Sequence, residues 1–303
     1  MINKIIANLL PYFPPRFVWL FSKKYIAGKT IDDAIKVSKE LNAQGILTTV
    51  DLLGEFITNL NQANANKLEY LSIINRLEAE EIKGNYSLKP SFFGLLIDEE
   101  ICYSHIRDIV ALAAKSNNFV RIDMEDSSCV DKEIKLFRRL FSEFPGHVGL
   151  VIQAYLKRTH QDIMSMLDLQ NHPSVINYRL CKGIYIEPKA IALKKHDEIN
   201  KNYLDLLKTL FEHGIYVGIA THDKQLVNAA FKLIDELNMQ PHQYEFQMLY
   251  GVTPELREAI VRKNHRMRVY VPFGKDWFGY STRRLKENPN MATHIIKSLF
   301  VRG

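Results

Sequence analysis

Ten polar or charged residues stand at the ends of strongly apolar runs: Glu55, Lys89, Asp123, Gln153, Arg179, Lys182, Thr221, His222, Gln247 and Tyr270. A charged group in such a run is costly to bury unless it is paired or used. Taken singly, Lys89 reads as a side chain reaching back to solvent, Asp123 as a helix cap, and the two glutamines as partners for backbone groups. Taken together, at one level of a repeating pattern, they read as a ligand site. Arg283 and Arg284 in "YSTRRLKEN" add two more cations, so the set is positive against Asp123 and Glu55. That balance suits a small carboxylate together with a phosphate-bearing cofactor, or a phosphorylated substrate. A Schiff base on Lys89 or Lys182, as in a barrel lyase or aldolase, is the alternative chemistry. His222 in "ATHD" reads as a hydrogen-bonding group, and with no H-E-x-x-H or similar spacing no metal is expected.

On a helix, Tyr280, Arg283, Arg284 and Glu287 share one broad face. Spacing alone leaves two readings, a solvated basic helix or an anion clamp. Trp277 and Phe278 just upstream speak against a purely solvated face.

The elements that must position these residues repeat one grammar from residue 45 onward: a β-rich apolar run, a polar junction, then a stretch with helical spacing. The strand-like runs are 45–54, 85–94, 118–126, 148–156, 175–185, 214–223, 244–251 and 267–274. Between them, "EEICYSHIRDIVALAAKS" carries an apolar stripe of Ile101, Ile106, Ile109, Val110, Leu112 and Ala113. Asp98, Asp223 and the Thr253-Pro254-Glu255 sequence mark helix starts. Eight such units predict an α/β fold, a (βα)8 barrel over 45–303 with a helical arm over 1–44. A doubly wound open sheet is the runner-up, but neither G-x-G-x-x-G after the first strand nor G-x-x-x-x-G-K-[ST] occurs.

Composition narrows the class. With 47% hydrophobic and 24% charged residues the chain reads as an ordinary folded protein. The net charge of +6 is carried by scattered pairs such as Lys23-Lys24 and Arg138-Arg139, not by a basic tail, so nucleic-acid binding is not expected. Cys102, Cys129 and Cys181 are odd in number and far apart, which fits a reducing, cytoplasmic compartment. The apolar start is interrupted by Pro11, Pro14 and Pro15 and is too short to span a membrane. It reads as an arm packed on the domain, with an interfacial anchor as the other reading.

The segments "SLKPS", "RIDMED", "IQAYL", "YRLCKGIY", "ATHD", "FQMLYG", "RVYVPFG" and "YSTRRLKEN" together resemble the proline dehydrogenases of the bacterial monofunctional type. The resemblance implies a distorted, TIM-like (βα)8 barrel that binds FAD without a dinucleotide fold. It implies oxidation of L-proline to 1-pyrroline-5-carboxylate, with electrons passed to a quinone, at or near the inner face of a membrane. By motif match, Lys89, Arg283 and Arg284 would hold the proline carboxylate, and Tyr270 and Tyr280 would wall its ring, with Tyr185 nearby. Asp123 would be the active-site acid and Arg179 the flavin-contacting arginine. Further FAD contacts would fall on Met124, Gln153, Lys182, Gly183, Ile184, Thr221 and His222, and Glu55 would gate the pocket by pairing with Arg283. Ile184, Cys181 and Phe92-Phe93 depart from the family's usual residues, so an altered pocket shape is expected.

Overall fold

The computed structural model describes residues 18–19, 22–54, 56–172 and 174–281. Eight parallel strands close into a barrel in sequence order: β1 Leu47–Leu52, β2 Gly84–Leu88, β3 Val120–Ile122, β4 Val148–Gln153, β5 Asn177–Cys181, β6 Tyr216–Ala220, β7 Tyr244–Leu249 and β8 Met267–Phe273. Helix α1, Ile31–Asn42, precedes the first strand. The strands are then separated by α2 Leu60–Ala79, α3 Glu99–Lys115, α4 Val130–Glu143, α5 Thr159–Ser165, α6 His196–Glu212, α7 Lys224–Glu236 and α8 Pro254–Arg262. Closure is made by β1 against β8, in register from Leu47↔Arg268 to Leu52↔Phe273.

The outward faces of the strands bury Val50, Leu88, Ile122, Leu150, Leu180, Ile219, Phe246 and Val271 under the helix ring. Each such side chain contributes roughly 1.5–3 kcal/mol, which makes this shell the main source of stability. Helix α1 joins the same core through Ala34, Ile35, Val37 and Leu41. A second, smaller cluster brings Val18, Ile26 and Leu53 against Trp277 and Tyr280, with the Trp19 and Trp277 rings 4.7 Å apart. The described part of the arm therefore packs on the chain just past β8. Among the described residues no helix is long and apolar enough to cross a membrane.

Local signals behave as their chemistry requires, with three differences. Asp98 accepts hydrogen bonds from the backbone N–H groups of Glu100 and Ile101, and Asp223 accepts one from Gln225. Thr253 does not cap α8 this way: its backbone is left-handed (φ 43°), and its hydroxyl lies 3.8 Å from the Met248 sulfur. In α3 the buried stripe runs through Cys102, His105, Ile106, Ile109, Val110 and Ala113, while Ile101 and Leu112 flank it, half-buried. Several strands are shorter than their apolar runs. Pro90 has no N–H to give to the ladder, so 90–93 turns into a 3-10 helix. Lys89, Asp123, Lys182, Thr221 and His222 consequently sit just past strand ends.

Candidate active site

Inward-facing residues fill the barrel in two tiers. Near the N-terminal ends of the strands, Arg268 donates to both oxygens of Glu245, Nε to Oε1 at 2.6 Å and Nη2 to Oε2 at 3.1 Å. Thr49 donates to Asn85 at 2.5 Å. Arg121, fully buried, bonds the carbonyls of Leu150 and Asn177 and the Asn177 side chain, and its guanidinium lies 4.8 Å from the Phe119 ring centre. Room for these long side chains comes from glycine: a Cβ on Gly149 would lie 2.5 Å from Arg121 Nη1, and one on Gly218 would lie 2.4 Å from Gln247 Nε2.

Above this floor, at the C-terminal ends, Asp123 is the hub. Its Oδ1 accepts from Ser87 Oγ at 2.6 Å and from Arg179 Nη1 at 2.8 Å, and its Oδ2 accepts from the Tyr270 hydroxyl at 2.9 Å. Arg179 also donates to Gln247 Oε1 at 2.5 Å, and its guanidinium lies 5.3 Å from the Tyr270 ring centre. Lys89 Nζ reaches Asp51 Oδ2 at 3.2 Å and Asp123 Oδ2 at 3.8 Å. Burial alone would push the lysine pKa down, but the carboxylates of Asp51, Asp123 and Glu125 outweigh it and raise it. Burial, helped by the charge of Asp123, pushes the Asp51 carboxyl up to about 6 despite Lys89. Burial, with Asp123 and Asp51 beside it, also holds the Tyr270 phenol well above its usual range, so it stays a donor.

The far side of the mouth is built from β4 to β6. Gln153, at the end of β4, donates to the carbonyls of Met124 and Glu125 at 3.0 and 3.2 Å, and its own buried Oε1 has no donor among the described residues. Lys182 pairs with Asp223 at 2.7 Å, and Asn200 donates to the same carboxylate. Burial raises the Asp223 carboxyl, but those two bonds hold it well below the usual range. Thr221 Oγ1 accepts from the Asp223 backbone, and His222 Nε2 accepts from the backbone N–H of Leu249 at 2.8 Å, which fixes the ring's proton on the other nitrogen. Gly183 sits at φ 100° with its Cα against the Tyr155 ring, where a Cβ would come within 2.1 Å. Ile184 beside it is 44% exposed.

The structure thus brings Lys89, Asp123, Arg179 and Tyr270 together, and places Met124, Gln153, Lys182, Gly183, Ile184, Thr221 and His222 along the neighbouring strand ends. Tyr280 faces the same space: with Leu53, Gly54, Lys89 and Phe278 it lines a cavity of about 330 Å³, within the usual range for small-molecule sites. Tyr185 is half-buried, and burial raises its phenol far above the usual range. Glu55, Arg283, Arg284 and Glu287 lie outside the described residues. At the mouth, Lys89 pairs with Asp51, Arg179 with Asp123 and Lys182 with Asp223. Phe92 and Phe93 do not enter the cavity. They are buried behind its wall, Phe93 against Tyr70 with ring centres 5.4 Å apart and Phe92 against Gly54, which lines the cavity. Cys181 points its thiol to the Ile152 carbonyl at 3.6 Å.

Four contributors went unread in the sequence. Asp51 and Ser87 are single polar residues in apolar strands. Glu125 receives the backbone N–H and hydroxyl of Ser91 at 2.8 and 2.5 Å. Glu187 receives the same two groups of Ser127, both at 2.7 Å, tying the loop after β5 to the loop after β3. A signal existed for Glu125 alone, as the second acid of "RIDMED".

With this geometry in view, comparison with other proteins is decisive. The proline dehydrogenase family model matches residues 34–296. The chain belongs to the proline dehydrogenase family. It is 36% identical to proline dehydrogenase 1 of Bacillus subtilis over 98% of this chain and 95% of that protein. It is 32% identical to the proline dehydrogenase of Deinococcus radiodurans over 93% and 91% of the two chains. Among solved structures, proline utilization A of Bdellovibrio bacteriovorus, inactivated by N-propargylglycine, superposes with a TM-score of 0.82 at 27% identity. That match spans 89% of this chain and 32% of the longer protein. As a proline dehydrogenase the chain oxidises proline in proline catabolism, and the family implies a redox cofactor.

Proposed function

We propose that the cofactor is FAD, that the product is 1-pyrroline-5-carboxylate, and that the electrons leave to a quinone. The observation that carries this reading is the Asp123 hub, with Arg179, Ser87 and Tyr270 bonded to one carboxylate and Lys89 beside it at the edge of a cavity of about 330 Å³. The donor set fits FAD. Gln153 offers a buried acceptor lacking a donor, Gly183 removes a side chain where the loop passes Tyr155, and Ile184 presents an apolar side chain for a ring to cover. Met124, Gln153, Arg179, Lys182, Gly183, Ile184, Thr221 and His222 would hold it. When bound, FAD supplies the two-electron acceptor for the hydride leaving the ring carbon next to the proline nitrogen.

The chain's own residues do the rest. Lys89, with Arg283 and Arg284, anchors the proline carboxylate, and two planar guanidiniums fix its orientation and lower the entropic part of the barrier. Tyr270 and Tyr280 wall the ring. Arg179 places positive charge where negative charge develops on reduction. Asp123 orients Arg179 and Tyr270 and is the carboxylate placed to handle the amine proton. Glu55 gates the cavity, in pairing with Arg283. Its neighbour Phe56 is left-handed (φ 49°), with its N–H on Ser91 Oγ at 3.1 Å, a fixed point for that loop. Quinone reduction would take place at the inner face of a membrane, as a peripheral contact, with 1–44 as an arm to the 45–303 barrel. A Schiff-base lyase on Lys89 or Lys182 is disfavoured because each ammonium is engaged by a carboxylate, Lys89 by Asp51 at 3.2 Å and Lys182 by Asp223 at 2.7 Å. The test is spectroscopic: the protein loaded with FAD should be yellow and bleach on anaerobic addition of L-proline. Folded protein that takes up no FAD would refute the reading.

A further inference from the structure

Asp51 enters neither the cofactor nor the substrate set, yet it is among the most deeply buried charged residues at this end of the barrel, 1% exposed. It faces inward from β1 and pairs in register with Ser87, two residues before Lys89 on the same face of β2, so it lies one layer beneath the lysine. Lys89 Nζ is 3.2 Å from its Oδ2 and 3.5 Å from its Oδ1. Pro90 and the 3-10 turn anchor the Lys89 backbone, but a lysine side chain is long, flexible and has no preset geometry of its own. Something must hold it. Asp51 from β1, Asp123 from the end of β3, Tyr270 from β8 and, farther off, Glu125 surround it, and Lys275, Asp276 and Tyr280 line the same cavity from the chain past β8. Asp123 is already engaged by Ser87, Arg179 and Tyr270, and its nearest oxygen is 3.8 Å away.

We infer that Asp51 is a positioning residue for Lys89, fixing its ammonium in the charged state at the height where it meets the carboxylate of proline. The inference rests on the reading of Lys89 as a ligand of that carboxylate. Asp51 does not touch substrate; it acts from below, through the lysine.

The test is proline kinetics on the FAD-loaded enzyme, for wild type, Asp51→Asn, Lys89→Met and the double variant. Asp51→Asn should raise KM roughly tenfold or more, about 1.4 kcal/mol or greater, with kcat within about twofold. The ratio of its KM to that of wild type should grow from pH 7 to pH 9, because a buried ammonium stripped of its partner gives up its proton more readily. In the Lys89→Met background the same change should add nothing. An unchanged KM in Asp51→Asn, with a raised KM in Lys89→Met, overturns the role of Asp51 and leaves that of Lys89 standing. A lowered KM also overturns it, since Asp51 would then be competing with substrate for the lysine. An unchanged KM in Lys89→Met removes the lysine reading itself and the inference with it. If Asp51→Asn does not fold, Asp51→Glu keeps the charge but moves the lysine: KM should rise with a pH-independent ratio, and a wild-type KM overturns the inference.

Discussion

The floor and the mouth of this barrel use the same currency, buried ion pairs, to opposite ends. On the floor, Arg268 closes on Glu245 with two parallel hydrogen bonds and donates a third to the Thr48 carbonyl at 2.8 Å. The pair is sealed within protein and holds its shape without a ligand. At the mouth, Asp123 joins four strand ends, Lys89 hangs between two carboxylates, and the Gln153 amide oxygen has no donor among the described residues. The Arg268–Glu245 pair is enclosed by protein, whereas Lys89 borders a cavity. The lesson is that buried charge marks function where it borders a cavity that a ligand can enter.

Breaking the mouth should have the largest effect. Asp123→Ala removes the hub, and proline turnover should fall roughly 100- to 10,000-fold in the folded fraction, alongside a loss of stability because Arg179 keeps its charge without that carboxylate. A loss below about tenfold would reduce Asp123 to a structural part. Breaking the floor should cost stability alone. Arg268→Met leaves Glu245 buried and unpaired, so chemical denaturation should show a loss of about 3–5 kcal/mol, with KM for proline unchanged in the folded fraction. A KM shift as large as that of a mouth variant would erase the distinction. Gln153→Ala should weaken FAD by roughly tenfold, about one good hydrogen bond to a ligand, as read by flavin fluorescence on dilution.

The smallest effect separates the two regions by pH. Burial raises the Glu245 carboxyl, but Arg268 outweighs it and holds the group below its ordinary 4.5. A depressed carboxyl contributes stability that is fully present above that value and is lost as pH falls further. Asp51 has the opposite sign: with its folded value near 6 against an ordinary 3.8, its contribution falls as pH rises through that window and recovers on acidification. Unfolding free energy measured from pH 3 to pH 8 should lose the first slope in Arg268→Met and the second in Asp51→Asn. Equal slopes in both variants would contradict the assignment.

The barrel itself was legible, because parallel strands covered on both faces are written as apolar runs and their helices as 3.6-period stripes. Strand ends were less so. Met124 and Glu125 stay buried after β3 leaves the ladder, so burial alone extended that run too far. Lys89, Asp123, Arg179 and Tyr270 were found because charge and aromatic polarity stand out in such surroundings. Asp51 was not, because in "LTTVDLL" it looks like one polar strand residue among several. Its meaning comes from the lysine that β2 places above it, a contact between residues 38 positions apart.

The most direct test is the anaerobic rate at which L-proline bleaches FAD in wild type, Asp123→Ala and Arg268→Met under conditions where all three are folded. The account predicts fast bleaching in wild type and Arg268→Met, and flavin that stays bound but oxidised in Asp123→Ala. Bleaching of Asp123→Ala at the wild-type rate, or a wild-type flavin indifferent to proline, would contradict it.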